Sequence, residues 1–130
     1  MKIYVVGNIL VEVDSLPIKL LPLLIKTFPD IEFLEYDPTE DLRPNDKEII
    51  LIDTVINAKE VCLITDIDKI ISERAVSLHD FDLGYNLKLM KKFGMIDNVK
   101  IIGVPPNINE TEAIEEIRKI ITSSLSSRSV

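Results

Sequence analysis

The apolar and polar positions along the chain form two kinds of segment. Five runs are almost continuously apolar, as is typical of strands buried on both faces of a parallel sheet; they are 2–7, 31–36, 48–53, 60–65 and 98–104. Between them, apolar residues recur every three or four positions, which indicates amphipathic helices. This order predicts an α/β fold: a three-layer sandwich with a five-stranded, mainly parallel twisted sheet and helices on both faces.

Two of the helices have recognisable start signals. The first is predicted to follow Asp14 or Ser15 as its N-cap. Pro22 lies within this segment and removes one intrahelical hydrogen bond, so the helix either bends there or begins near Leu21. The last helix is predicted to start at Asn109, whose side chain can cap it.

The middle of the chain departs from a simple alternation of strands and helices. The connection after the third strand, residues 54–59, is too short for a crossover that carries a helix, so the fourth strand is expected to run antiparallel. A long polar loop is predicted over 66–81, and it carries His79, the chain's one histidine. A helix then begins at Asp82. Its expected sheet-facing stripe consists of Leu83, Leu87, Met90 and either Phe93 or Gly94.

Length and composition narrow the class of protein. The 130 residues suffice for one domain with a proper core, expected over 1–125 with a flexible tail at 126–130. With 22 acidic and 15 basic residues, the net charge of -7 argues against nucleic acid or an anionic membrane surface as partner. A single cysteine, Cys62, excludes an internal disulfide. Lys19 and two prolines interrupt the longest apolar run, 16–25, so we expect a cytoplasmic protein without membrane insertion.

Two aspartates and the histidine are the candidates for chemistry. Asp14 follows the first strand and Asp53 ends the third. If the first helix packs on one face of the sheet and the later helices on the other, these two strands flank the crevice where open α/β sheets bind ligands. His79 could join them as a metal ligand or a general base. Taken singly, Asp14 could instead cap a helix and Asp53 could satisfy backbone donors.

The donor set and the motifs that are missing restrict the chemistry. Two carboxylates and one imidazole suit borderline divalent cations such as nickel or zinc, with positions left open for substrate. The sequence has no Ser-His-Asp order, glycine-rich phosphate loop or His/Cys metal cluster. Conventional serine or cysteine protease chemistry is therefore not expected.

Four blocks of sequence stand in order along the chain: Val5-Val6-Gly7-Asn8-Ile9-Leu10 followed by Asp14, Ile50-Leu51-Ile52-Asp53, Ser77-Leu78-His79-Asp80, and Ile102-Gly103-Val104-Pro105-Pro106. As an ordered set, they resemble the nickel-iron hydrogenase maturation endopeptidases. They cover nearly the whole chain. In that family, Asp14 and Asp53 would match the two metal-binding acids, and His79 would match the histidine of the Ser/Thr-x-His loop.

The resemblance implies an endopeptidase that removes the C-terminal extension of a nickel-iron hydrogenase large-subunit precursor after nickel insertion. Asp14, Asp53 and His79 would contact the nickel and thereby sense completed metal loading. The ion would help to polarise the scissile carbonyl or a water. This nickel is carried by the substrate, although zinc or a similar divalent ion could occupy the isolated site.

Two other functions stay open on the sequence alone. A catalytically inactive binding or scaffold protein of the same fold is one, because Val13 and Pro17 stand where the family has a second acid and a glycine. A phosphoacceptor receiver domain is the other, because receivers also have an aspartate at the end of the third strand. The last strand here ends in Val104-Pro105-Pro106, where a receiver needs a lysine.

Overall fold

A computed structural model describes residues 1–7, 10, 15–36, 47–56, 58–66 and 78–125, with only the backbone described at 78–83 and 125. Its strands are β1 (Lys2–Val6), β2 (Glu32–Tyr36), β3 (Glu48–Thr54), β4 (Cys62–Ile64) and β5 (Asn98–Val104). Its helices are α1 (Leu16–Thr27), α2 (Leu78–Lys92) and α3 (Glu110–Ile120), followed by a π-helical turn, Ile121–Leu125. None of the described helices has the length and apolar character needed to cross a membrane. The tail at 126–130 lies outside the described residues.

The strands form one sheet in the order β2-β1-β3-β5-β4. The first four in this order pair in parallel, whereas β4 pairs with β5 in the antiparallel direction. The predicted five-stranded, mainly parallel sheet and the predicted direction of β4 are both confirmed. The chain leaves β1 for β2 on one side and returns to β3 on the other, so the strand order reverses between β1 and β3. Such a reversal is where open α/β sheets form their crevices.

Helices cover both faces of the sheet, but α3 does not lie where the sequence interpretation put it. Leu20 of α1 and Ile117 of α3 belong to the same buried cluster on one face, and Leu87 of α2 belongs to the cluster on the other. The arrangement considered above, with the later helices on the face opposite α1, therefore holds for α2 and not for α3. The reason is that α1 covers only part of this face of the sheet. It contacts β1, β2 and β3, and α3 packs next to it over β5. Arg118 of α3 also lies 5.7 Å from the centre of the Phe28 ring, just beyond α1.

The caps of α1 and α3 agree with the sequence. Ser15 occupies the N-cap position of α1, although its side chain makes no capping hydrogen bond. The helix runs through Pro22, so the alternative start near Leu21 is wrong. Pro22 lies on the exposed side, where water can satisfy the carbonyl that its missing N–H leaves unpaired. At the start of α3, Asn109 Oδ1 accepts hydrogen bonds from the backbone N–H groups of Thr111 at 2.9 Å and Glu112 at 3.3 Å.

Helix α2 begins earlier than predicted, at Leu78 rather than Asp82, so the backbone of His79 lies in a helical turn and not in a loop. The sequence contains a signal for this start, since Ser77 and Asp80 have the spacing of a helix-capping pair. An acid in the first turn also interacts favourably with the helix dipole.

The apolar stripe of α2 ends sooner than predicted. Met90 is buried as expected, but Phe93 is 71% exposed and Gly94 is exposed as well. Gly94 has φ +74°, its N–H bonds to the carbonyl of Lys91 at 3.2 Å, and the N–H of Met95 bonds to the carbonyl of Met90 at 2.9 Å. These are the bonds of a Schellman cap, which stops the helix and turns the chain toward β5.

Candidate functional site

Asp53 is the best-defined candidate residue. It lies at the carboxyl end of β3, beside the point where the strand order reverses, and it is 0% exposed. Its Oδ1 accepts a hydrogen bond of 2.7 Å from the backbone N–H of Thr54. Burying a carboxylate is costly unless its oxygens are bonded, and the bond fixes the direction of this one. The predicted placement of Asp53 at a carboxyl strand end is confirmed.

The register of the sheet explains which face Asp53 belongs to. Asp53 is paired with Gly103 on β5, and Gly103 is paired in turn with Cys62 on β4. Since side chains alternate along a strand, Asp53 shares the face of Ile49 and Leu51, which is the face that α2 covers.

Gly103 holds the end of β3 in place, a role that the sequence interpretation missed. A Cβ at this position would lie 2.5 Å from Val55 Cγ2 and 3.2 Å from Cys62 Sγ. Val55 comes two residues after Asp53, and its N–H bonds to the carbonyl of Val104 at 2.9 Å. The absent side chain therefore lets the chain after Asp53 lie against β5. A lone glycine within a buried strand is a sequence signal for such a close approach.

The first turn of α2 lies toward the same edge of the sheet as Asp53. Residues 93–97 alone join α2 to the start of β5, and Leu87 and Met90 pack on the sheet, so α2 runs antiparallel to the parallel strands. Its 15 residues span about 22 Å. The seven residues of β3 span about 20 Å. Because these lengths are similar, a helix that follows the strand direction would bring the backbone of His79 near the level of the carboxyl end of β3.

The remaining members of the predicted site are not described in full. Asp14 lies outside the described residues and immediately precedes Ser15, the buried N-cap residue of α1. For His79 the backbone alone is described. Within the described part of the chain, no three His, Cys, Asp or Glu side chains group as a metal site, but that part includes just one member of the predicted set. The convergence of Asp14, Asp53 and His79 stays a prediction.

The chain has the fold of the hydrogenase maturation endopeptidases. The hydrogenase maturating endopeptidase HybD from E. coli is similar with a TM-score of 0.68 and 19% identity, over 98% of this chain and 94% of that one. An endopeptidase from Escherichia coli, solved in solution, gives 0.63 and 19% over 95% and 94% of the two chains. The hydrogenase 3 maturation protease gives 0.64 and 20% over 92% and 87%. No family model and no curated protein matches the sequence.

Proposed function

We propose that this protein is an endopeptidase that removes the C-terminal extension of a nickel-iron hydrogenase large-subunit precursor after nickel insertion. The observation that carries the proposal is the position of Asp53, a fully buried carboxylate at the strand reversal of a sheet with this fold. A buried acid at a crevice is better suited to binding or chemistry than to solubility. The three neighbours with the same fold are all named as endopeptidases or maturation proteases.

Three side chains bind the metal ion in this proposal. Asp14, Asp53 and His79 contact the nickel that the precursor carries, and nickel is here part of the substrate. The Thr54 N–H bonds to Oδ1 of Asp53 and so orients this carboxylate before any ion is bound. The inclusion of His79 is supported by its place in the first turn of α2, the helix that packs on the same face of the sheet as Asp53. In the isolated protein, zinc or a similar divalent ion fits the same donors.

The substrate-borne metal supplies the chemistry that the chain lacks. A divalent ion acts as a Lewis acid on a carbonyl or on a water. The residues of this chain orient that ion against the scissile bond. Because they bind the ion itself, they bind only a precursor into which it has been inserted. A precursor without nickel offers these residues nothing to bind, which gives the reaction its dependence on completed metal loading.

The two alternatives differ in how well they fit the fold. A phosphoacceptor receiver fits poorly, because β4 is antiparallel and the last strand runs into Val104 and Pro105 without the lysine that a receiver needs. A scaffold protein of the same fold agrees with the backbone equally well. Only an assay of cleavage distinguishes it from a peptidase.

The test of the residue roles is cleavage of a nickel-loaded precursor by variants of this protein. Asp14→Asn, Asp53→Asn and His79→Ala should each lower kcat/KM by at least about 100-fold, since the first two remove a negatively charged ligand of the ion and the third removes the imidazole. Asp30→Asn is the matched control, because Asp30 is an exposed aspartate beyond the end of α1. Circular dichroism checks that every variant is folded.

The outcomes separate the alternatives. Loss of cleavage in the three site variants with normal cleavage by Asp30→Asn supports the proposed site. Full activity of the folded Asp53→Asn variant contradicts it. If the unaltered protein binds the loaded precursor but never cuts it, the result supports a scaffold protein and contradicts a peptidase.

A further inference from the structure

The exposed surface of α2 and of the turn that follows it carries large apolar side chains that the core does not use. Tyr85, Phe93 and Met95 are 53%, 71% and 48% exposed, although other residues of this helix are buried against the sheet. Tyr85, Lys88 and Lys92 follow i, i+3, i+7 spacing and therefore share one face of the helix. We call Tyr85, Lys88, Lys92, Phe93 and Met95 the α2 patch.

The charge of the α2 patch is opposite to that of the whole protein. The run 84–95 contains three lysines and no aspartate or glutamate, in a chain with net charge -7. Lysines near a helix C-terminus interact favourably with the helix dipole, which accounts for the charges. It does not account for a tyrosine, a phenylalanine and a methionine exposed beside them. Grouped apolar side chains on a surface are typical of an interaction site.

Hydrogen bonds tie the turn of the α2 patch to the start of β3. The Schellman bonds described above fix the turn at Gly94, and Lys47 Nζ donates a hydrogen bond of 2.6 Å to the Gly94 carbonyl. The N–H of Asp97 bonds in turn to the carbonyl of Lys47. A surface that is already ordered loses little conformational entropy when a partner binds, so it favours association.

The α2 patch lies far from Asp53. Its turn is attached to Lys47, just before β3, whereas Asp53 is six residues further along the strand. At the usual rise per residue this separates the two by about 20 Å. A short peptide segment held at Asp53 does not need to reach that far, whereas a folded protein covers both.

The geometry points to the α2 patch as a docking surface for the folded body of the precursor, through an acidic surface that also presents apolar side chains. This inference rests on the proposed function, and it identifies a surface that binds the substrate protein away from the cleavage site. Charge complementarity selects the acidic partner and speeds its encounter. A permanent dimer of this chain suits the α2 patch less well, because lysine is depleted and apolar area enriched in such interfaces.

The test compares two matched double variants. Lys92→Glu with Phe93→Ser alters the α2 patch. Lys26→Glu with Ile25→Ser makes the same charge reversal and also replaces a large apolar residue by serine, at exposed positions of α1. With the nickel-loaded precursor as substrate, the first should raise KM about tenfold or more and leave kcat unchanged, because it weakens binding remote from the reacting bond. The second should leave both constants unchanged. Added salt should raise KM for the unaltered protein more than for the α2 variant.

Direct binding of the precursor keeps this inference separate from the proposed function. If the unaltered protein binds without cleaving and the α2 variant loses that binding, the docking surface is supported although the peptidase activity is contradicted. Equal KM and equal binding for the two double variants overturn the docking surface. So does a result in which the α2 variant loses affinity for phosphatidylserine vesicles alone, or in which the unaltered protein dimerises through these residues.

Discussion

Replacing Gly103 with alanine should destabilise the protein through one identifiable contact. The new Cβ would lie 2.5 Å from Val55 Cγ2, whereas carbon atoms pack at about 3.5–4.0 Å. Val55 is buried and β-branched, so it cannot simply turn away from the added methyl group. Overpacking of this kind costs about 2 kcal/mol of unfolding free energy. For a domain of this length, that lowers Tm by about 7 °C.

A double-mutant cycle identifies the contact responsible. Val55→Ala alone costs about 2 kcal/mol, because it removes two buried methyl groups. If the clash is the cause, the double variant Gly103→Ala with Val55→Ala should be about as stable as Val55→Ala alone, with a coupling of about 1–2 kcal/mol. Urea denaturation followed by far-UV circular dichroism measures all four proteins.

Gly94 supplies the control for a general cost of replacing glycine. A Cβ there meets nothing within 4 Å, but the backbone has φ +74°, so Gly94→Ala should cost about 1 kcal/mol without any coupling to Val55. The reasoning about Gly103 is refuted if the costs of Gly103→Ala and Val55→Ala simply add. It is also refuted if Gly103→Ala leaves stability unchanged.

Three further perturbations test other parts of the structure. Asn109→Ala should lower stability by about 1 kcal/mol in urea, because the cap of α3 is lost, and Asn109→Asp should restore it. Leu24→Ala should cost about 3 kcal/mol in the same assay, whereas its exposed neighbour Ile25→Ala should cost less than about 0.5 kcal/mol. Asp53→Asn should keep the far-UV spectrum of the unaltered protein, since an amide oxygen can still accept the Thr54 N–H. Unfolding of Asp53→Asn would mean that this residue is structural.

Local signals in the sequence predicted much of the fold. The direction of β4 followed from a connection too short to carry a crossover helix, and the start of α3 followed from the capping chemistry of Asn109. The end of β3 at a carboxylate followed from an apolar run that stops at Asp53. Each of these depends on residues close together in the chain, where the physical cause acts over a few positions.

Features that depend on tertiary packing were harder to predict. The face on which α3 packs is decided by the part of the sheet that α1 leaves uncovered, and no local pattern encodes that choice. The exposure of Phe93 follows from the Gly94 cap, which ends the helix before the next sheet-facing position. The contact between Gly103 and Val55 joins residues that are adjacent only in the folded sheet.

In the proposed function, this protein cuts a hydrogenase large-subunit precursor only after contacting the nickel bound to it. The most direct measurement follows release of the C-terminal peptide by mass spectrometry, with nickel-loaded and nickel-free precursor presented to the unaltered protein in parallel. We expect peptide release from the loaded precursor alone, because the ion provides both the recognition signal and the Lewis acid. Equal release from the two precursors contradicts the metal-reading role, and no release from the loaded precursor contradicts the peptidase.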